Sequence, residues 1–181
     1  MTIIFPPDVS TKFLCPIVDA IAENLEVSIE QPNFILESKN EFYERITNTS
    51  IGKTILFLGH GTAEELKINA NEGITSIDSL LLFKNKKIIL FSCFSSEFLF
   101  SNNHFEAAIG FGNILTSVAE LSPSDYQKYN YEEFKCIGLF SQRLVAIFKS
   151  AIILSYERNY TFIQTYNILR LKINKVICDC A

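Results

Sequence analysis

His60 and Cys93 are the two side chains of this sequence best suited to covalent chemistry. His60 stands in Gly59-His60-Gly61, directly after the apolar run Thr54-Ile55-Leu56-Phe57-Leu58. Cys93 follows Ser92, directly after Lys87-Ile88-Ile89-Leu90-Phe91. A free cysteine is only a few per cent thiolate at neutral pH. Attack on a carbonyl therefore needs a group that removes the thiol proton and returns it to a leaving amine. An imidazole can do both near pH 7. Glycines on both sides of His60 let the backbone turn sharply and approach a substrate closely. The N–H groups of Gly61 and Cys93 are candidate donors to the oxyanion of a tetrahedral intermediate.

The elements that must present these residues are strands. Both apolar runs are continuous rather than alternating, the pattern of strands buried on both faces in the middle of a parallel sheet. Neighbouring parallel strands lie about 4.8 Å apart, so residues just past their ends can flank one substrate atom. In open α/β sheets, sites form outside these carboxyl ends. The connection from Thr62 to Lys86 is long enough for a crossover. Its second half predicts a helix over Ile77–Phe83, with Thr75 or Ser76 as N-cap.

Upstream, the pattern predicts a strand over Thr2–Phe5 and a helix over Thr11–Leu25, with Leu14, Ile17, Val18, Ile21, Ala22 and Leu25 near helical spacing. A second strand is expected at Asn33–Leu36 and a helix at Glu41–Thr47. Downstream, a strand is expected at Ala107–Phe111, stopped near Gly112-Asn113. Two helices follow, Phe140–Glu157 and Tyr160–Ile173, with the break at Asn159. No internal repeat, low-complexity tract or linker is visible. The order implies an α/β fold, a three-layer α/β/α sandwich with a mostly parallel central sheet, in a single domain over residues 1–181.

The bulk numbers agree with that reading. A chain of 181 residues, 48% of them apolar, can bury a real core. A formal charge of −4 with no basic stripe gives no electrostatic case for nucleic acid. Met1-Thr2-Ile3-Ile4-Phe5-Pro6-Pro7 lacks the basic region of a secretory signal. No stretch approaches the roughly 18 apolar residues of a spanning helix. The greasiest region, Leu144 to Tyr156, is interrupted by Lys149. A cytoplasmic protein without membrane association is expected. Five cysteines, odd in number and widely spaced, read as reduced thiols rather than a disulfide framework.

With these residues in hand, the sequence resembles the caspase-like cysteine peptidases, the clan that includes caspases, clostripain-like enzymes, separase and CHAT domains. The resemblance rests on Phe57-Leu58-Gly59-His60-Gly61 and on Leu90-Phe91-Ser92-Cys93-Phe94-Ser95-Ser96, and is closest in flavour to separase and CHAT domains. Ala108-Ile109-Gly110-Phe111 resembles the next core strand of bacterial members. Residues 50 to 115 carry the likeness well, and the helical tail only loosely. The resemblance implies His60 as general acid/base, Cys93 as nucleophile and Gly61 as an oxyanion-hole donor. It also places Phe91 at a substrate-binding position. Many relatives carry an acid there that holds a basic P1 side chain, so Phe91 speaks against that preference. The caspase signature Gln-Ala-Cys-x-Gly is absent.

The implied activity is a cysteine endopeptidase that cleaves a protein partner, in regulated proteolysis such as signalling or defence, with a regulatory protein as a further possible partner. The alternative is a catalytically silent caspase-like domain used for binding or as a scaffold. A third reading is a flavodoxin-like sheet with its ligand at another edge. No Gly-rich phosphate loop, Cys-x5-Arg signature or zinc spacing is present, so neither a cofactor nor a metal is expected.

Several other features have plain readings. His104, the only other histidine, follows Asn102-Asn103 and reads as a surface-loop residue. Ser122-Pro123-Ser124-Asp125 with Tyr126, Tyr129 and Tyr131 reads as a polar, aromatic loop. Cys178-Asp179-Cys180-Ala181 matches a prenylation signal poorly and reads as an unstructured end.

Overall fold

A computed structural model describes residues 1–32, 38–48, 52–114 and 131–180. In chain order the elements are β1 (Thr2–Ile4), a 3-10 turn (Lys12–Leu14), α1 (Cys15–Asn24), β2 (Ser28–Glu30), α2 (Lys39–Asn48), β3 (Thr54–Leu58), β4 (Glu65–Lys67) and β5 (Gly73–Thr75). There follow α3 (Ser76–Phe83), β6 (Lys87–Phe91), α4 (Ser95–Phe100), β7 (Ala107–Ile109), α5 (Tyr131–Glu157) and α6 (Phe162–Cys180). The chain divides into two compact units: residues 1–14 with 26–114, and residues 15–25 with 115–181.

The first unit holds a five-stranded sheet in the order β2-β1-β3-β6-β7. All its pairings are parallel. The two strong apolar runs are β3 and β6, with the boundaries the sequence predicts. They are neighbours, in register from Thr54 opposite Lys87 to Leu58 opposite Phe91. On one face Ile4, Ile55, Phe57, Ile88 and Leu90 join Phe42 and Ile46 of α2, Leu82 and Phe83 of α3, and Phe98 of α4 in one apolar cluster. The alternate residues Ile3, Leu56, Leu58, Ile89 and Phe91 are buried too. Burial on both faces explains why these strands read as unbroken apolar runs, and fits the α/β/α sandwich expected.

The crossover between β3 and β6 contains more than the expected helix. Its first half is an antiparallel hairpin of β4 and β5, with Leu66 opposite Ile74. Its tip closes where the Asn69 side-chain oxygen accepts the N–H groups of Asn71, at 2.9 Å, and Glu72, at 2.7 Å. Thr75 caps α3, and its N–H and hydroxyl both donate to the Asp78 carboxylate.

Other boundaries differ from expectation for local reasons. The helix expected from Thr11 begins at Cys15, after a 3-10 turn. Pro16 is tolerated in a first turn but would clash with the carbonyl of Lys12 in a continuing helix. The second described strand is Ser28–Glu30; the expected one at Asn33–Leu36 lies outside the described residues, as do 122–130 of the aromatic loop.

In the second unit α1 packs against α5, and α5 against α6. Asn159 forms the corner between α5 and α6 with φ of 52°, the left-handed conformation that asparagine tolerates best after glycine. Thr161 then opens α6, its N–H and hydroxyl donating to Gln164. Two expectations are corrected here. The tail at Cys178 and Cys180 has helical backbone, since α6 runs to Cys180. Leu139–Glu157 is also long and apolar enough, by length and composition only, to cross a membrane. It carries Arg143 and Lys149, and Leu144, Val145, Phe148, Ala151 and Ile152 within it are buried.

Candidate active site

The register of β3 and β6 determines where the site forms. Leu58 pairs with Phe91, and the ladder continues one step as the Gly59 N–H donates to the Phe91 carbonyl at 3.2 Å. His60 and Cys93 thus stand equally far beyond the last paired residues, at the carboxyl ends of neighbouring strands. Both are half-buried.

Gly61 brings the two turns into contact. A Cβ there would lie 2.8 Å from Ser92 Oγ and 2.9 Å from the Cys93 carbonyl oxygen. No side chain fits so close to a fixed backbone atom. On its other side Gly61 faces Leu66 across an isolated antiparallel bridge. The flanking bonds are made by Lys67 N–H to the His60 carbonyl and Thr62 N–H to the Glu65 carbonyl. In such a pair the central residue turns its own N–H away from the partner strand. The hairpin therefore does not consume the Gly61 N–H.

Cys93 sits in a tight strand-to-helix turn. Its thiol donates to the Ile114 carbonyl at 3.3 Å. The next residue, Phe94, has φ of 53° and is 40% exposed. A left-handed conformation at a bulky residue costs about 1–2 kcal/mol, so the surrounding bonds must enforce it. Phe94 N–H donates to the Gly112 carbonyl and Ser96 N–H to the Phe111 carbonyl. Ser95, fully buried, accepts the Phe111 N–H at 2.9 Å and has the Leu90 and Ser92 carbonyls within reach of its hydroxyl, at 2.9 and 2.8 Å. The turn after β6 and the loop after β7 are thereby pinned together.

A third strand end contributes residues that the sequence reading missed. After β1, Pro6 and Pro7 offer no N–H and end the ladder. Asp8 then caps the following turn: its Oδ1 accepts the Thr11 N–H at 2.7 Å, and its own N–H donates to Thr11 Oγ1 at 2.8 Å. The other oxygen, Oδ2, lies 2.9 Å from His60 Nε2. Ser10 Oγ lies 2.8 Å from the same ring nitrogen and donates to Asp8 Oδ1 at 2.9 Å. Burial pushes the Asp8 carboxyl up, but bonds from the Thr11 N–H, the Ser10 and Thr11 hydroxyls and His60 outweigh it, so its pKa falls below the usual value. The signal was present in the sequence as a carboxylate just past a strand that pairs with β3.

Two further positions singled out in the sequence have other surroundings. Phe91, placed by resemblance at a substrate-binding position, is 2% exposed and packs edge-on against Phe111 with ring centroids 5.3 Å apart. As the last residue of a buried strand it fills the core. His104 lies in the loop before β7, as expected of it. It is half-buried against Phe105, with Nε2 3.2 Å from Ser79 Oγ. It precedes β7 and therefore stands at the amino edge of the parallel sheet, the opposite edge from Cys93. Burial holds its pKa below the usual histidine value. Among the described residues, no group of three or more His, Cys, Asp or Glu side chains is placed to hold a metal ion.

Chemically, this edge offers a thiol, an imidazole tied to a carboxylate, and a backbone N–H turned away from its hairpin. No protein-family model, curated protein or solved structure matches the chain.

Proposed function

We propose that the protein is a cysteine endopeptidase of the caspase-like type, acting on a protein substrate through His60 and Cys93. The observation that carries this reading is the shared register of β3 and β6, which puts both residues the same step beyond adjacent strand ends. His60 takes the Cys93 thiol proton. The sulfur attacks the scissile carbonyl carbon, and the carbonyl oxygen becomes an oxyanion that the Gly61 and Cys93 N–H groups receive. The C–N bond breaks as the imidazolium protonates the leaving amine. Water, deprotonated by the same imidazole, then cleaves the thioester to release the acid and restore the thiol.

A peptide-library digest tests this. Wild type is expected to cleave a subset of peptides, and Cys93→Ala and His60→Ala to lose cleavage by at least about 10²-fold. A wild-type protein that cuts no peptide counts against the proposal.

A silent binding domain is the second reading. The bond from the Cys93 thiol to the Ile114 carbonyl favours it, because that carbonyl can accept from a thiol but has no favourable contact to offer a thiolate. On that reading a partner captured by the wild type is captured equally by Cys93→Ala.

A further inference from the structure

We infer that Asp8 is a positioning residue for His60: it holds the imidazole in the tautomer with the proton on Nε2, so that Nδ1 carries the lone pair that would receive the Cys93 proton. The inference deepens the peptidase reading and rests on it for its functional meaning, while its geometry stands independently.

Donors and acceptors around Nε2 leave one consistent assignment. An ionised carboxylate only accepts, and hydrogen bonds to Asp8 favour its ionised form. With Asp8 Oδ2 at 2.9 Å, Nε2 must therefore carry the hydrogen. The Ser10 hydroxyl has one hydrogen, which goes to Asp8 Oδ1. Its lone pair is thus turned to Nε2, at 2.8 Å. Both neighbours of Nε2 are acceptors, and together they exclude the opposite tautomer.

The cap makes Asp8 a rigid support. Oδ1 is held by the Thr11 N–H, so Oδ2 has little freedom to leave the ring. The three groups also come from three consecutive strands of the sheet, β1, β3 and β6. The ring is thus gripped from the side of β1, with Cys93 on the side of β6.

Asp8→Asn separates this role from a structural one. Asparagine caps as well as aspartate, and the Thr11 N–H still needs an acceptor. The amide oxygen therefore stays at the Oδ1 position, and the amide NH2 replaces Oδ2. That NH2 can only donate, so Nε2 becomes the acceptor as the Ser10 hydroxyl turns to donate to it as well, and the proton moves to Nδ1. The tautomer is read directly by long-range proton–nitrogen correlation on protein labelled at histidine nitrogens, near pH 7.5.

Wild type is expected to show His60 protonated on Nε2, and Asp8→Asn on Nδ1. The variant should melt within about 2 °C of wild type while its Cys93 alkylation slows at least tenfold. Asp8→Ser, which also caps, should lose the fixed tautomer and slow in the same way. A wild-type ring protonated on Nδ1, or Asp8 variants with wild-type tautomer and alkylation rate, would overturn the inference. A wild type with the expected tautomer that cuts no peptide would sink the peptidase reading alone and leave the Asp8 assignment standing.

Discussion

Gly61 and Cys93 touch through their backbones: a Cβ on the glycine would stand 2.9 Å from the Cys93 carbonyl oxygen. The contact leaves no room for even one methyl group. Gly61→Ala must therefore move the His60 turn away from the Cys93 turn, at an overpacking cost of about 1–3 kcal/mol. On the peptidase reading, kcat/KM on a library-selected peptide falls at least tenfold while the variant stays folded by circular dichroism. Unchanged kinetics would mean that the two turns can part without consequence.

Timed iodoacetamide labelling with peptide mass mapping should find Cys93 the fastest of the five thiols. Cys15 is the natural reference, being equally half-buried and reduced. His60→Ala is expected to bring Cys93 down toward Cys15, because imidazole assistance is what distinguishes them. Equal rates for all thiols in the wild type would contradict the assignment of Cys93 as nucleophile.

Two nearby serines should respond oppositely to alanine. Ser95 Oγ bonds the Phe111 N–H and the Leu90 and Ser92 carbonyls from a fully buried position, so losing these buried bonds in Ser95→Ala should cost about 1–3 kcal/mol. Ser92 Oγ is buried without a hydrogen-bond partner among the described residues. Ser92→Ala removes an unsatisfied group and should be neutral or slightly stabilising. Urea unfolding of both variants measures the contrast.

Acid should weaken the first unit through Asp78. Burial alone would raise its pKa, but the Lys39 ammonium at 2.6 Å and the Thr75 hydroxyl and N–H bring it down to about 2. A depressed carboxyl pKa stabilises the fold above the unfolded value, near 3.8, and that stability is lost as pH falls toward 2. The loss is on the order of 2 kcal/mol. Asp78→Asn should be less stable than wild type at pH 7 and show a flatter stability profile between about pH 4 and 2. Parallel profiles for the two proteins would remove Asp78 as the cause.

Legibility in the sequence followed the length of the apolar signal. Thr54–Leu58 and Lys87–Phe91 were readable to the residue because four consecutive buried positions after a half-buried first residue leave little choice of register or type. Asn159 was readable as a corner because few other residues accept its backbone angle. Glu65–Lys67 and Gly73–Thr75 have one large apolar residue each, too few for a period to emerge. Ser95–Phe100 was missed because its six residues bury only Ser95 and Phe98. At the site, His60 and Cys93 were visible as types at strand ends. Asp8 was not, because carboxylates are common and its significance depends on β1 lying beside β3, a fact of strand order that local pattern does not carry.

That strand order has a bearing on when the protein becomes reactive. Asp8, His60 and Cys93 follow β1, β3 and β6, which meet only through pairings between distant parts of the chain. Those pairings, and not the synthesis of the residues, bring the three groups to one place. Long-range parallel pairing is slow compared with local structure, so on the peptidase reading a half-made copy is harmless to its neighbours, and cutting power arrives with the closing of the sheet.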